Sequence, residues 1–88
     1  MSATIKLYHV FRPFAGDRET VEVNGSTIRE CLDSLVDKFP VFRKILYNAG
    51  DMLAVIVLYE NETIVPRDLD RPVGERSEIA IVPMIQGG

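Results

Sequence analysis

Tryptophan is missing from the chain, and histidine and cysteine occur once each. A lone cysteine, Cys31, closes no internal disulfide, so the sequence reads as one from a reducing compartment. A lone histidine, His9, has no second imidazole with which to build a metal site. Basic blocks are missing too. Ten Lys and Arg are interspersed among 13 Asp and Glu, for a net charge of −3. Nucleic acid is therefore not an expected partner. No apolar run approaches the ~20 residues of a membrane span. The opening MSATIKLYHVF is interrupted by Lys6 and His9 and is not built like a signal peptide. The expectation is a cytoplasmic protein with no membrane partner.

What is present is 88 residues, 47% of them hydrophobic. That suits one domain over 1–88 with little room for a deep catalytic cavity. Residues 4–11, TIKLYHVF, alternate and predict a strand with Ile5, Leu7, His9 and Phe11 on one face. RPFAGD, 12–17, predicts a turn, and RETVEV, 18–23, a second strand that pairs with the first as a hairpin. Within 24–40, Thr27 and Glu30 fit a capping box. Ile28, Cys31, Leu32, Leu35, Val36 and Phe39 then follow at helical spacing until Pro40. Residues 41–51 predict a short helix turning Phe42, Ile45 and Leu46 inward, with loop from Asn48 to Asp51.

MLAVIVLY, 52–59, is an unbroken apolar run and predicts a strand buried on both faces. ENET, 60–63, predicts a turn with Asn61 at positive φ. A short strand at 64–65 is cut by Pro66, residues 66–77 are irregular and charged, and EIAIVP, 78–83, is the last strand. The order ββαββ describes an α+β fold: a mixed four- to five-stranded sheet with one main helix on one face. With the first and last long strands as a parallel central pair, this is the β-grasp, the ubiquitin-like fold.

The chain ends VPMIQGG, and two glycines have no side chain with which to finish a fold. Residues 84–88 are expected as a mobile tail. The β-grasp order, the length and the terminal Gly87-Gly88 together resemble the ThiS/MoaD sulfur-carrier family, over essentially the whole chain. Its members include the thiamine-biosynthesis sulfur carrier and the small subunit of molybdopterin synthase. IKLYHVF resembles the family's first strand, STIRECLDSLVDKFP its capped helix, and EIAIVPMIQGG its last strand and tail. FRKIL is similar to the short helix of molybdopterin-synthase-like members, whereas NETIVPRDL is closer to the thiamine type.

The resemblance implies that a ubiquitin-activating-enzyme-like adenylyltransferase, supplying ATP and Mg, activates the Gly88 carboxylate. A sulfur donor then converts it to a thiocarboxylate for a large acceptor synthase subunit. The carrier itself needs no bound cofactor and no metal. Gly87 and Gly88 suit the chemistry, because a backbone without Cβ threads a narrow channel and leaves the carbonyl open to attack. Two other readings share these features: a ubiquitin-like modifier conjugated through Gly88, and a plain β-grasp interaction module with an inert tail.

One helix covers only one face of the sheet. Some of Ala54, Ile56, Leu58, Ala80 and Val82 are therefore expected in an exposed partner-binding patch, continued by Pro83, Met84, Ile85 and Gln86. Coverage of that patch by the 66–77 segment is the competing expectation. Cys31 reads as core and His9 as a hydrogen-bonded structural residue. Asp68, Asp70, Glu75 and Glu78 read as a solvated acidic edge rather than a cation site. Arg67 and Arg71 read as solubilising charge or as a grip for a partner's acidic groups.

Overall fold

Five strands form one sheet: β1 Ser2–Leu7, β2 Thr20–Asn24, β3 Val55–Tyr59, β4 Glu62–Ile64 and β5 Ser77–Pro83. The structure is a computed structural model that describes residues 2–47 and 53–84. The strand order is β2-β1-β5-β3-β4. β1 and β5 pair in parallel at the centre, with Ile5 opposite Ile79 and Leu7 opposite Ile81. β2 and β3 flank them antiparallel. This is the expected β-grasp. The predicted loop at Asn48–Asp51 lies outside the described residues.

Helix α1, Ile28–Lys38, follows from its own sequence. Thr27 Oγ1 accepts from the Glu30 N–H at 3.1 Å. The Glu30 carboxylate reaches back to the Ser26 N–H at 2.7 Å, one residue beyond the usual capping-box partner. Ile28, Cys31, Leu32, Leu35 and Val36 form the buried stripe. At the far end the Phe39 N–H returns to the Leu35 carbonyl, and Pro40 stops the helix. A second helix, α2 Phe42–Leu46, buries Phe42 and Leu46 as expected, and Ile45 packs against the core from its edge.

Several boundaries differ from the sequence reading. The Tyr8 N–H still donates to Ile81 O, the last bond of the parallel ladder, and β1 stops there because the Phe11 N–H turns back to Tyr8 O and starts a 3-10 segment over His9–Ala15. Phe11 still reaches the core, but His9 leaves the Ile5–Leu7 face and is exposed, its ring 4.4 Å from that of Tyr8. Gly16, at φ 66°, ends the segment in a left-handed conformation that favours glycine. β2 begins at Thr20 rather than Arg18, and β3 at Val55. β4 occupies 62–64, because Glu60 (φ 51°) and Asn61 (φ 65°) make a tight two-residue turn. Only Asn61 was expected at positive φ.

β3 is not buried on both faces. Val55, Val57 and Tyr59 are buried, whereas Ile56 and Leu58 are half-buried. The helix-side core includes Ile5, Leu7, Val23, Leu32, Leu35, Leu69, Ile79 and Ile81. Among the described residues no helix is long and apolar enough to cross a membrane.

Candidate functional site

The face of the sheet turned away from α1 carries Ile56, Leu58, Ala80 and Val82, which are half-buried rather than exposed as expected. Side chains alternate along β5: Ile79 and Ile81 are buried, while Ala80 and Val82 are half-buried on the other side. The register sets Leu58 opposite Ala80 and Ile56 opposite Val82, so the four form a two-by-two block. Polar residues bound it. Lys6 lies beside Ala80 on β1, Thr4 beside Glu78, and Thr63 beside Leu58 on β4. Ala54 is half-buried ahead of β3, its N–H bonded to Leu46 O at 2.7 Å. Near the β3–β4 turn the block grades into a shallow depression lined by Leu58, Asn61, Gly74, Glu78 and Ala80.

Residues 69–73 of the 66–77 segment are held at the start of α1, and only Gly74 and Ser77 border the block, beside Leu58 and Ala80. The first N–H groups of a helix have no partner within it. Here the Ile28 N–H donates to Arg71 O at 3.1 Å and the Arg29 N–H to Leu69 O at 2.7 Å. The Val73 N–H closes the contact on Ser26 O at 3.0 Å, and Leu69 and Val73 are buried there. A 3-10 turn, Pro66–Asp68, lies inside this stretch.

β5 carries the tail. Pro83 still pairs with Val55 at the sheet's end, and Met84 beyond it is 47% exposed. Ile85, Gln86, Gly87 and Gly88 lie outside the described residues. The structure thus brings Ile56, Leu58, Ala80 and Val82 onto one face, with Pro83 and Met84 at its end.

The remaining candidates sort differently. Cys31 is fully buried in the helix stripe; burial raises its thiol pKa, and the nearby Glu30 carboxylate adds to the shift. Arg71 is neither free solubilising charge nor a free grip. It pairs with Glu62 at 2.8 Å and Glu60 at 3.6 Å, and its guanidinium stands 5.4 Å from the centre of the Tyr59 ring. The Glu62 hydrogen bond is the main cause of its raised pKa. Arg67 is exposed. Asp68, Glu75 and Glu78 are exposed, and Asp70 pairs with Arg29 at 2.9 Å. Sequence reasoning missed the Arg71 strut, since residues 60–62 and 71 meet only through the fold. It missed the exposed Tyr8, Val10 and Phe14 as well, although the adjacent pair Val10-Phe11 already breaks a two-residue period.

A five-stranded sheet with β1 and β5 parallel at its centre and α1 packed on one face is the β-grasp, the ubiquitin-like fold. The ThiS family signature matches residues 5–88, and the chain belongs to the ThiS family. It thereby joins the ThiS/MoaD-like group of ubiquitin-fold carriers and modifiers. Its structure is similar to that of the small archaeal modifier protein SAMP1 from Haloferax volcanii, with TM-score 0.82, 26% identity and 100% of both chains covered. It is also similar to a chain of the BexX/CysO complex from Amycolatopsis orientalis, with TM-score 0.82, 22% identity, and 98% of this chain and 99% of that one covered. A third likeness is to putative molybdopterin converting factor subunit 1 from Pyrococcus furiosus, with TM-score 0.76, 14% identity, and 97% and 99% covered. At these identities the last two speak for the fold alone. No curated protein sequence matches the chain.

Proposed function

We propose that the chain is a sulfur carrier whose terminal Gly88 carboxylate is the reacting group. The observation that carries this reading is the family match running to Gly88, on a chain whose last two residues are Gly87 and Gly88. A carboxylate oxygen of Gly88 attacks the α-phosphorus of ATP in an adenylyltransferase, and pyrophosphate leaves. A sulfur donor at the oxidation level of hydrosulfide then attacks the acyl carbon, and AMP leaves with the bonding pair. The product is a thiocarboxylate, delivered to an acceptor synthase that makes a cofactor such as molybdopterin or thiamine. ATP, Mg and the acid–base groups belong to the partner. The block of Ile56, Leu58, Ala80 and Val82 is the docking face, and Pro83 to Gln86 lead the glycines into the channel.

The likeness to SAMP1 favours a second reading, in which the same acyl-adenylate is passed to a lysine of another protein. Both readings share one test of the activation step, ATP–pyrophosphate exchange with the activating enzyme of the same organism. The intact chain supports exchange, and deleting Gly87 and Gly88 abolishes it. One alanine added after Gly88 abolishes it too, because the carboxylate moves roughly 3.5 Å along the channel and gains a Cβ. Full exchange with the altered tails leaves only an inert interaction module. Intact mass after addition of a sulfide donor separates the two readings. Replacement of one oxygen by sulfur marks the carrier, and conjugates to other proteins mark the modifier.

A further inference from the structure

Six large apolar residues stand out as exposed among the described residues: Tyr8, Val10, Phe14, Val41, Val65 and Met84, each 39% to 47% accessible. Single exposed apolar residues are ordinary on a protein surface. Their distribution here is not scattered. β1 and β5 run parallel, so Tyr8, which follows β1, and Met84, which follows β5, leave the sheet at one end. The 3-10 segment with Val10 and Phe14 continues from Tyr8 before β2 turns back. β4 runs antiparallel to β3, which brings Val65 toward the same end. The last turn of α1 also arrives there, with Lys38 and Phe39 beside Arg18 and Thr20 at the start of β2, and Val41 follows at once. The opposite end presents Glu60, Asn61, Gly74, Glu75 and Arg76, which are polar or glycine. The exposed large apolar residues thus gather at the end where Met84 follows β5, set among exposed polar ones such as His9, Asp17, Arg18 and Glu19.

Chain length fixes who meets that end. Four residues follow Met84, and fully extended they span about 14 Å. Any protein that holds the Gly88 carboxylate therefore lies within that distance of Met84. A stable interface covers about 800 Å² of each partner, far wider than the root of one peptide tail. Its footprint must fall on the residues around that root.

We propose that Tyr8, Val10 and Phe14 form an apolar rim around the tail's root, which seats on an apolar channel mouth in the enzyme that activates Gly88. This rests on the carrier reading and adds a contact surface distinct from the sheet face of Ile56 and Val82. The rim raises affinity for the whole chain and takes no part in acyl transfer, so its loss shows in half-saturation rather than in turnover.

The test titrates the full chain into ATP–pyrophosphate exchange with the organism's own purified activating enzyme. The double variant V10S/F14S raises the half-saturating concentration about tenfold while the maximal rate stays within about twofold. Its melting temperature remains near that of the wild type, since both side chains are nearly half exposed. Phe14→Leu keeps most of the affinity, and Asp33→Ser, on the exposed side of α1, changes nothing. If the double variant melts early, single Val10→Ser carries the measurement. An unchanged half-saturation in either variant overturns the rim while leaving the carrier reading intact. No exchange with the wild-type chain sinks the carrier reading and the rim with it. A wild-type dimer in sedimentation that V10S/F14S turns into a monomer assigns the rim to self-association and also overturns the proposal.

Discussion

The Tyr59 hydroxyl lies 3.2 Å from Ser77 Oγ and accepts from the Gly74 N–H, also at 3.2 Å. Ser77 Oγ donates in turn to Gly74 O at 2.6 Å, which leaves Tyr59 as the donor to Ser77. The three groups tie the end of β3 to the turn that launches β5. Tyr59 itself is nearly buried, with its ring under Arg71. The strand that carries the tail is therefore anchored at its start by a side chain of the neighbouring strand β3.

Tyr59→Phe keeps the buried ring and removes both hydrogen bonds. The Gly74 N–H is exposed and recovers a water, so the loss is about 1 kcal/mol. A urea titration reads this as a lower midpoint at an unchanged slope. A midpoint equal to the wild type's removes Tyr59 from the anchoring of β5.

Gly25→Ala is the sharper packing test. A Cβ at Gly25 meets the Cys31 backbone N at 2.8 Å and the Glu30 carbonyl carbon at 2.9 Å. Those atoms belong to the first turn of α1 and cannot move without disturbing its caps. The expected cost is about 1–3 kcal/mol. Gly74→Ala supplies the contrast, because its Cβ meets only Ser77 Oγ, at 3.5 Å. Equal melting temperatures for the two variants contradict the close approach of β2's exit to α1.

These details mark where the sequence is informative. The helix was legible because its signals are local: Thr27 and Glu30 cap it, a stripe repeats every three to four residues, and Pro40 stops it. The parallel central pair followed from element order. The end of β1 was not legible, since His9 and Phe11 continue the alternation on paper. What stops the strand is the turn closed by the Phe11 N–H on Tyr8 O, which draws His9–Ala15 into a 3-10 segment just after the last ladder bond from Tyr8 to Ile81. The apolar run at 52–59 says nothing about which face is covered. The carbonyls of Leu69 and Arg71 serve α1's first N–H groups and hold residues 69–73 at the start of that helix.

Cys31 gives stability an alkaline limit. Its folded-state pKa is raised, first by burial and second by Glu30. Below the ordinary thiol pKa, about 8.5, both folded and unfolded chains keep the proton, and the contribution is complete. As pH rises through that value the unfolded chain loses the proton while the folded chain retains it, so stability falls. The check compares urea midpoints of wild type and Cys31→Ala from pH 7 to alkaline pH. The variant is less stable at neutral pH, because it leaves a cavity, but it declines less steeply. Parallel curves for the two proteins remove Cys31 as the cause.

The outer face makes the last prediction. Val82 and Ile56 point away from α1 and are half-buried, so an aspartate at either position keeps its carboxylate in water. Ile81, next to Val82 on β5, is fully buried in the core, and aspartate there strands a charge between Leu7 and Val57. Val82→Asp and Ile56→Asp therefore leave a cooperative melt and weaken binding to the activating enzyme, whereas Ile81→Asp abolishes the melt. Thermal denaturation and a pull-down with that enzyme, run on all three variants, read the two effects apart. If Val82→Asp loses its fold as Ile81→Asp does, the side chain is core, and the block of Ile56, Leu58, Ala80 and Val82 is no docking face. If it melts normally and binds normally, the face is solvent-exposed but idle, and the apolar rim of Tyr8, Val10 and Phe14 must supply the affinity.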